Sequence, residues 1–396
     1  MNRRTVCMIA YANYFTDARI KNYVEALLGH GYRVDVFALG SQSAPAQPGL
    51  RVFAVADKYW GDRALRYALA QCWFALRTLV LVGWHGLKER YRLVHVHNMP
   101  NMLVFSALIA RLCGARIILD VHDTMPEVYA TKFDLPLDHP LIALLRWEER
   151  ASAWFSDQVI TTNVLHKEVL IAHGIPSAKI EVILNTGNPR LFRPVVDKPV
   201  HTVMMLVYHG TIAKRLGIDL ILQALAIARD ALAEVKLVLI GDGDYLPAAK
   251  EIVQSLGLTE CVEFMGFIPV EDLPQHLAQA DIGVVGNRAY NEVKHNYMLP
   301  VKMLEYAAME IPTLTPRLRV IARYFDEQSA LYYAPDDAQD LARRMIEVWK
   351  NPQVGTAVKK NLRTFNLRYN WPVMESIYLQ IVRRLLAGVS CTESAA

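Results

Sequence analysis

The residues best suited to chemistry follow short apolar runs, and one group occupies positions 209–217, HGTIAKRLG. Gly210 and Thr211 come directly after the run VMMLVY, and small residues there let an anion approach backbone N–H groups. Lys214 and Arg215 follow within reach of the same anion. The spacing predicts a phosphate site; a solvated loop with two unrelated bases is the alternative interpretation.

A second group lies in LPVKMLEYAAM, residues 299–309. Pro300 suits the first turn of a helix, whose free N–H groups would attract an anion. Lys302 and Glu305 are three residues apart and would share one face of that helix. A lysine followed one turn later by a carboxylate fits a pyrophosphate and then a ribose diol. A surface Lys–Glu pair would have the same spacing.

Polar side chains also follow two apolar runs of the first half, as His95, His97 and Asn98 after LV and as His122, Asp123 and Glu127 after RIILDV. A histidine at a strand end can hydrogen-bond a sugar hydroxyl or transfer a proton. Metal ligation and a buried structural role are the alternatives, but no HExxH motif and no third clustered ligand is evident. Gly241 and Gly243 follow another strand, yet Leu246 breaks the GxGxxG dinucleotide fingerprint.

Short β-branched runs alternate with helical periods throughout, which predicts parallel sheets covered on both faces. Three prolines between residues 189 and 199 indicate a linker. We therefore expect an α/β protein with two doubly wound, Rossmann-like domains, 1–190 and 191–365, that face each other across a cleft. We also expect a C-terminal helical segment, 366–390, that packs back on the first domain.

Composition excludes several classes of protein. The chain has 396 residues, enough for two buried cores, and its net charge of +4 is too small to indicate a nucleic-acid partner. Five cysteines lie far apart without a CxxC pair, so we expect no disulfide framework, no cysteine zinc site and a cytoplasmic location. The N-terminal apolar run VCMIAYA is too short for a signal peptide and indicates a strand.

Basic residues concentrate in the window 58–92, which has seven of them against two acidic ones, together with Trp60, Trp73, Phe74 and Trp84. This composition is typical of helices that lie on an anionic membrane, although an ordinary domain helix with a solvated edge is the alternative. Charged residues leave uncharged gaps of only 10 residues here. A spanning helix needs about 20, so we expect peripheral contact without a span.

The ordered segments HGTIAKRLGIDLILQAL, LVLIGDG, VEFMGFIP, ADIGVV and LPVKMLEYAAMEIPTL resemble the nucleotide-sugar domain of glycosyltransferase family 4. The segments YFTDARIKNYVEALLGHGYRV, HVHN, LDVHDTMPE and VILNTGNPRLFRP resemble its acceptor-side domain. The resemblance covers nearly the whole chain. It implies a GT-B fold and transfer of a sugar from a nucleotide diphosphate sugar to a hydroxyl acceptor, with retention of anomeric configuration.

The resemblance also implies which residues bind the donor. The diphosphate is placed at Gly210, Thr211, Lys214 and Arg215, the ribose at Glu305, and the base at Phe267 and Ile268. His122 matches a histidine near the reacting sugar, so His122, Lys214 and Arg215 are the expected catalytic residues.

One position departs from the family pattern, because Tyr297 stands where a first glutamate is expected. Asn296, or the backbone at Met298 and Leu299, would then hold the outer hydroxyls of the donor sugar. Asp17 and Arg19 match a DxR element to which the resemblance assigns no firm role.

No metal or other cofactor is expected, because basic side chains and a helix N-terminus would stabilise the departing diphosphate. The expected partners are the nucleotide sugar and a saccharide or lipid-linked saccharide of bacterial surface polysaccharide or glycolipid assembly, with peripheral contact to an anionic membrane. A nucleotide-sugar epimerase and a catalytically silent, nucleotide-binding subunit of a polysaccharide assembly complex are the alternatives.

Overall fold

The computed structural model describes residues 5–40, 47–57, 64–194, 203–232, 234–290, 295 and 297–390. The chain divides into an N-terminal unit, Met1–Leu184 with Lys294–Asn296 and Pro372–Ala396, and a C-terminal unit, Asn185–Val293 with Tyr297–Trp371. The boundary falls a few residues before the expected one. The reason is local packing, because a Cβ on Gly187 would lie 3.0 Å from the Phe192 ring and 3.3 Å from Glu305, both in the C-terminal unit.

The N-terminal unit contains a seven-stranded parallel sheet in the order β3-β2-β1-β4-β5-β6-β7. Its strands are β1 Thr5–Asn13, β2 Arg33–Leu39, β3 Leu50–Ala56, β4 Leu93–His97, β5 Arg116–Val121, β6 Gln158–Thr161 and β7 Ile180–Val182. Its first six helices are α1 Ala18–Gly29, α2 Ala64–Glu89, α3 Leu108–Leu112, α4 Met125–Lys132, α5 Pro140–Phe155 and α6 Val164–Ala172. The strand order reverses between β1 and β4, and ligands of such sheets bind at the carboxyl ends of the strands there.

The C-terminal unit repeats the plan with a six-stranded parallel sheet in the order β10-β9-β8-β11-β12-β13. Its strands are β8 Met204–His209, β9 Val235–Ile240, β10 Val262–Gly266, β11 Ile282–Val284, β12 Thr313–Pro316 and β13 Leu331–Tyr333. Its helices are α7 Ile218–Ala228, α8 Leu246–Ser255, α9 Leu273–Leu277, α10 Val301–Ala308, α11 Arg319–Ala322, α12 Ala338–Lys350 and α13 Pro352–Arg368. Two doubly wound parallel sheets confirm the predicted fold class.

The last described helix, α14, spans Trp371–Ser390, and from Pro372 onward it belongs to the N-terminal unit. Its Tyr378 is fully buried, and the tyrosine Oη lies 3.0 Å from Nδ1 of His95 in β4. The Tyr378 and Tyr23 rings are 4.4 Å apart between centroids. The final helix therefore completes the core of the N-terminal unit.

One helix of the described ranges is long and apolar enough to cross a membrane, judged by length and composition only: α2 from Arg66 to Glu89. This differs from the expectation based on uncharged gaps, because Arg66 and Lys88 lie near the helix ends and only Arg77 interrupts the apolar run. About a quarter of the most apolar window, 28%, is buried. Phe74 and Val82 are among the buried residues of α2 and pack in the core of the sheet.

Candidate functional site

In the C-terminal unit, the loop that follows β8 is held open by backbone hydrogen bonds to its neighbour. The Gly210 N–H donates to the Ile240 carbonyl at 2.9 Å, and the Ile212 N–H donates to the Asp242 carbonyl at 2.9 Å. The Tyr208 hydroxyl donates to the Thr211 carbonyl at 2.7 Å. Thr211 is exposed in a loop fixed at both sides, which suits it to receive an anion.

The two glycines of the GDG turn explain why that loop keeps its shape. A Cβ on Gly241 would lie 2.0 Å from the Gly210 carbonyl oxygen, and a Cβ on Gly243 would lie 2.2 Å from the Ile212 carbonyl oxygen. Neither position can hold a side chain without moving the loop. The GDG turn thus supports the shape of the neighbouring loop 210–212.

Lys214 and Arg215 lie in a short 3₁₀ turn, Lys214–Leu216, just before α7. Both side chains are exposed, and neither forms an ion pair with the described residues. Gly217 ends the turn with a φ of +68°, a conformation that favours glycine. The turn therefore exposes two cations in the loop that contains Thr211, and the phosphate site stays a prediction.

Lys302 lies in the first turn of α10 and is buried next to the same loop. Its Nζ is 3.7 Å from the centroid of the Tyr208 ring, and it would lie 3.6 Å from a Cβ on Gly210. Burial lowers the pKa of Lys302 to about 7, although the Glu305 carboxylate favours the charged form. Pro300 directly precedes the helix instead of lying in its first turn.

Glu305 is held by a histidine that the sequence argument does not single out. Nε2 of His209, the last residue of β8, lies 2.6 Å from the Glu305 Oε2. The His209 ring meets the Tyr306 ring edge-on at 4.9 Å, and its Nδ1 is buried without a hydrogen-bond partner in the described part of the chain. The only signal in the sequence is its place immediately before Gly210.

The remaining predicted donor residues are less closely grouped. Phe267 and Ile268 follow β10, whose Gly266 carbonyl accepts a hydrogen bond from the Gly241 N–H at 2.8 Å, and the Phe267 side chain is largely exposed. Tyr297 is buried, and its hydroxyl accepts a hydrogen bond of 3.3 Å from Arg319. Leu299 is half-buried just before α10, whereas Asn296 lies outside the described residues.

In the N-terminal unit, the carboxyl ends of β4 and β5 bring together a buried polar cluster. Arg19 of α1 donates to both oxygens of Asp120, from Nε at 2.8 Å and from Nη2 at 2.8 Å. The Asp17 side chain accepts from the Ile20 N–H and caps α1. The DxR element therefore has a structural role, because Asp17 caps the start of α1 and Arg19 pairs with Asp120.

His122 is the partly exposed member of this cluster, at 24% of its side chain. Its Nε2 lies 3.2 Å from the Asp120 Oδ2 and 3.2 Å from the His97 Nδ1. Its backbone N–H donates to the Asn98 side chain at 2.8 Å. The structure thus places His122 at the strand ends, fixed from both the ring and the backbone.

The charge of the cluster follows from its burial. Burial alone would raise the pKa of Asp120, but Arg19 and His122 hold it well below its usual range. Burial lowers the pKa of His95, and it also lowers that of His97 despite the hydrogen bond to Asp120. The cluster therefore combines an ionised Asp120, paired with Arg19, with neutral His95 and His97.

Asp120 is the third clustered ligand that the sequence argument misses. Ligand atoms of His95, His97 and Asp120 lie within 4.8 Å of one another, which could suit a metal ion. However, Arg19 occupies both Asp120 oxygens, and the Tyr378 hydroxyl lies against His95. A guanidinium at 2.8 Å opposes a dication at the same carboxylate, so the donor set fits a hydrogen-bond network better than a metal.

Comparison with known proteins identifies the class to which this fold belongs. Residues 204–351 match the family model described as glycosyl transferases group 1, and residues 16–186 match the model described as glycosyl transferase 4-like domain. Sucrose-phosphate synthase from Thermosynechococcus elongatus superposes with a TM-score of 0.76 at 18% identity, covering 98% of this chain and 100% of that chain. HepE from Anabaena, in complex with UDP and glucose, gives a TM-score of 0.70 at 14% identity over 95% and 99% of the two chains. These likenesses show the GT-B fold.

The chain belongs to the glycosyltransferase group 1 family. Among similar sequences, the amylovoran biosynthesis glycosyltransferase AmsK of Erwinia amylovora is 24% identical over 46% of this chain and 45% of the relative. Sulfoquinovosyl transferase SQD2 of Arabidopsis thaliana is 24% identical over 70% of this chain and 54% of the relative. The chain thus spans about half the length of these curated relatives.

Proposed function

We propose that the protein transfers a sugar from a nucleotide diphosphate sugar to a hydroxyl acceptor, with retention of anomeric configuration. The observation that carries the proposal is the pairing of the loop 210–217 with the buried Lys302 at the start of α10. The Lys302 Nζ would lie 3.6 Å from a Cβ on Gly210, so the braced glycine loop and the buried amine lie together, and the exposed Lys214 and Arg215 follow in the same loop. HepE from Anabaena, which shares the fold, has a structure in complex with UDP-glucose.

The chemistry follows from where negative charge develops. When the bond from the sugar to the diphosphate breaks, charge builds on the departing diphosphate, and preorganised cations and N–H groups stabilise it. Lys214, Arg215 and Lys302 supply the cations, and Gly210 and Thr211 let the phosphate approach the backbone. Glu305 accepts from the ribose through the oxygen that His209 leaves free.

His122 is the group that we assign to the reacting sugar. Its ring is anchored by Asp120 and His97, which leaves it partly exposed in a fixed orientation. A histidine held in this way can hydrogen-bond a sugar hydroxyl or take part in proton transfer. Phe267, exposed after β10, is assigned to the base of the nucleotide.

We assign the acceptor to a saccharide or lipid-linked saccharide in bacterial surface polysaccharide or glycolipid assembly. The names of two relatives support this: one is an amylovoran biosynthesis glycosyltransferase, and another is a phosphatidylinositol monomannoside mannosyltransferase of Mycolicibacterium smegmatis. We propose that the protein meets this acceptor on the cytoplasmic side of the membrane, in peripheral contact through the window 58–92. Residues 58–63 of that window lie outside the described residues.

The first experiment is a thermal-shift screen of nucleotide sugars against the full chain. A bound donor raises the melting temperature, because it stabilises the folded state by RT ln(1 + [L]/Kd). The selected donor is then incubated with candidate acceptors, and the anomeric configuration of the product is read by NMR. Binding followed by transfer with retention supports the proposal, whereas inversion or conversion of the donor without acceptor contradicts it.

A silent nucleotide-binding subunit is the second candidate, favoured by Tyr297. This residue replaces the expected glutamate and is buried against Arg319 rather than available as a carboxylate. Nucleotide binding without transfer to any acceptor would select this function. Full turnover would show instead that other groups hold the hydroxyls of the donor sugar.

A further inference from the structure

Helix α2 carries a row of large apolar side chains that face solvent. Leu69, Trp73, Leu76, Val80, Trp84 and Leu87 are each between 54% and 65% exposed. They follow one another at three or four residues, so they form a single stripe along the helix. The opposite side of α2 is buried, with Phe74, Thr78 and Val82 at 0% exposure.

Two neighbouring segments extend this stripe into a broad surface. The 3₁₀ helix Asn101–Ala107 packs against α2, where the Ser106 hydroxyl donates to the Ala75 carbonyl at 2.9 Å. It also packs against α5, where the Phe105 and Phe155 rings are 5.2 Å apart. Exposed apolar side chains continue across both segments and α3: Phe105, Leu108, Leu112, Leu144, Trp147 and Trp154. We call this surface, with the α2 stripe, the apolar face.

The exposed charged side chains on the helices of the apolar face are basic. Arg66, Arg77, Lys88 and Arg150 are exposed. The acidic side chains of the same helices already have partners in the protein. Glu149 is buried against His173, and Glu89 pairs with Arg51. Glu148 accepts hydrogen bonds from Asn101 and Ser152. Lys88 also lies 4.7 Å from the Trp84 ring, so a base and an indole share one edge of the stripe.

We propose that the apolar face docks on an anionic lipid bilayer and lies in the plane of its surface. Exposed patches of this extent mark interaction sites, and tryptophans with a basic border are the composition that suits the headgroup region. The inference deepens the proposed function, on which it rests for the lipid-linked acceptor. Insertion of α2 across the bilayer would remove Phe74 and Val82 from the core, so docking leaves the fold intact.

The test is flotation of the full chain with phosphatidylcholine vesicles, with and without phosphatidylglycerol. We expect the wild type to float with the anionic vesicles and at least about tenfold less with neutral ones, since several bases each contribute about fivefold. Leu87→Glu should lower flotation about tenfold, because it removes apolar burial and adds a charge at the interface. Leu367→Glu is the matched control, because Leu367 is 75% exposed on α13, and it should float like the wild type.

A second pair of variants tests the charge. Arg77→Glu should reduce binding to anionic vesicles at least about fivefold, whereas Arg368→Glu on α13 should not.

The nucleotide thermal shift shows that each variant is folded. Unchanged flotation of Leu87→Glu, resistance of the bound wild type to alkaline carbonate extraction, or a dimer that Leu87→Glu dissociates would overturn the proposal. If the protein floats with vesicles but transfers no sugar, the proposed function is contradicted and the docking stands. If it transfers sugar but does not float, the docking is contradicted and the proposed function stands.

Discussion

Lys302 combines two properties that oppose each other. A buried amine destabilises the free protein when charged, yet the same charge is what a diphosphate needs. The unfolded lysine has a pKa near 10.4, whereas burial lowers that of the folded residue to about 7. The unfolded chain therefore binds more protons between about pH 7 and 10, and the stability contributed by this site rises with pH over that interval.

We therefore expect Lys302→Met to stabilise the free protein and to weaken donor binding. Its melting temperature should exceed that of the wild type at about pH 6, and the difference should narrow above about pH 7. Affinity for the donor, measured by calorimetry, should fall at least about tenfold. Lys236→Met, an exposed lysine of β9, is the control and should change neither quantity. If Lys302→Met binds the donor as tightly as the wild type, Lys302 does not contact the diphosphate.

Glu305 can be tested through the hydroxyl that it is proposed to bind. Glu305→Gln should weaken binding of the nucleotide diphosphate about tenfold, because an amide accepts fewer hydroxyl hydrogens than the carboxylate that lies against His209. With a deoxyribose analogue that lacks the bound hydroxyl, wild type and variant should bind alike. Glu310→Gln, which removes only an ion pair with Arg363, is the control. An equal loss with ribose and deoxyribose ligands would contradict the ribose assignment.

At the scale of elements, the loop after β8 depends on the turn after β9. Gly243→Ala should destabilise the protein by about 1–3 kcal/mol in denaturant unfolding and weaken donor binding, because its Cβ would force Ile212 away. Gly29→Ala is the control, since nothing lies within 4 Å of that position, and it should be neutral or slightly stabilising. Unfolding and binding unchanged in Gly243→Ala would mean that the loop has no such support.

Individual elements were predictable where the pattern is local. The runs RVDVFAL and LVHVH coincide with β2 and β4, because buried strands of a parallel sheet are rich in apolar, β-branched residues. By contrast, Arg19 and Asp120 are 101 residues apart, and His95 and Tyr378 are 283 apart. No local period contains such pairs. An acid inside the apolar run RIILDV does signal a buried partner, but not which one.

The same limit applies to the exposed faces of helices. The window 58–92 predicts an aromatic, basic helix, and α2 has that character. Nothing in its period tells which apolar residues face the sheet, since α2 is apolar nearly all round. The contribution of Trp147 and Trp154 from α5 depends on packing against the 3₁₀ helix Asn101–Ala107, which only the fold provides.

For the whole molecule, we expect sugar transfer to continue after divalent cations are removed. In the proposed function Lys214, Arg215 and Lys302 balance the diphosphate charge, and we therefore expect that no metal is needed. Turnover with the selected donor should be equal before and after treatment with EDTA, and added Mg²⁺ should change it less than about twofold. Loss of turnover on chelation, with recovery on addition of Mg²⁺, would contradict this account.

The return of α14 to the N-terminal unit bears on how the chain is made. Residues 185–293 and 297–371 form a nearly continuous stretch, so the C-terminal unit has all its strands before synthesis ends. The N-terminal unit is synthesised first but lacks Tyr378, which packs on Tyr23 and His95. Domains commonly fold as they emerge from the ribosome. The N-terminal unit, however, cannot complete its core until α14 has been synthesised. The N-terminal unit, although it is translated first, is therefore completed after the C-terminal unit.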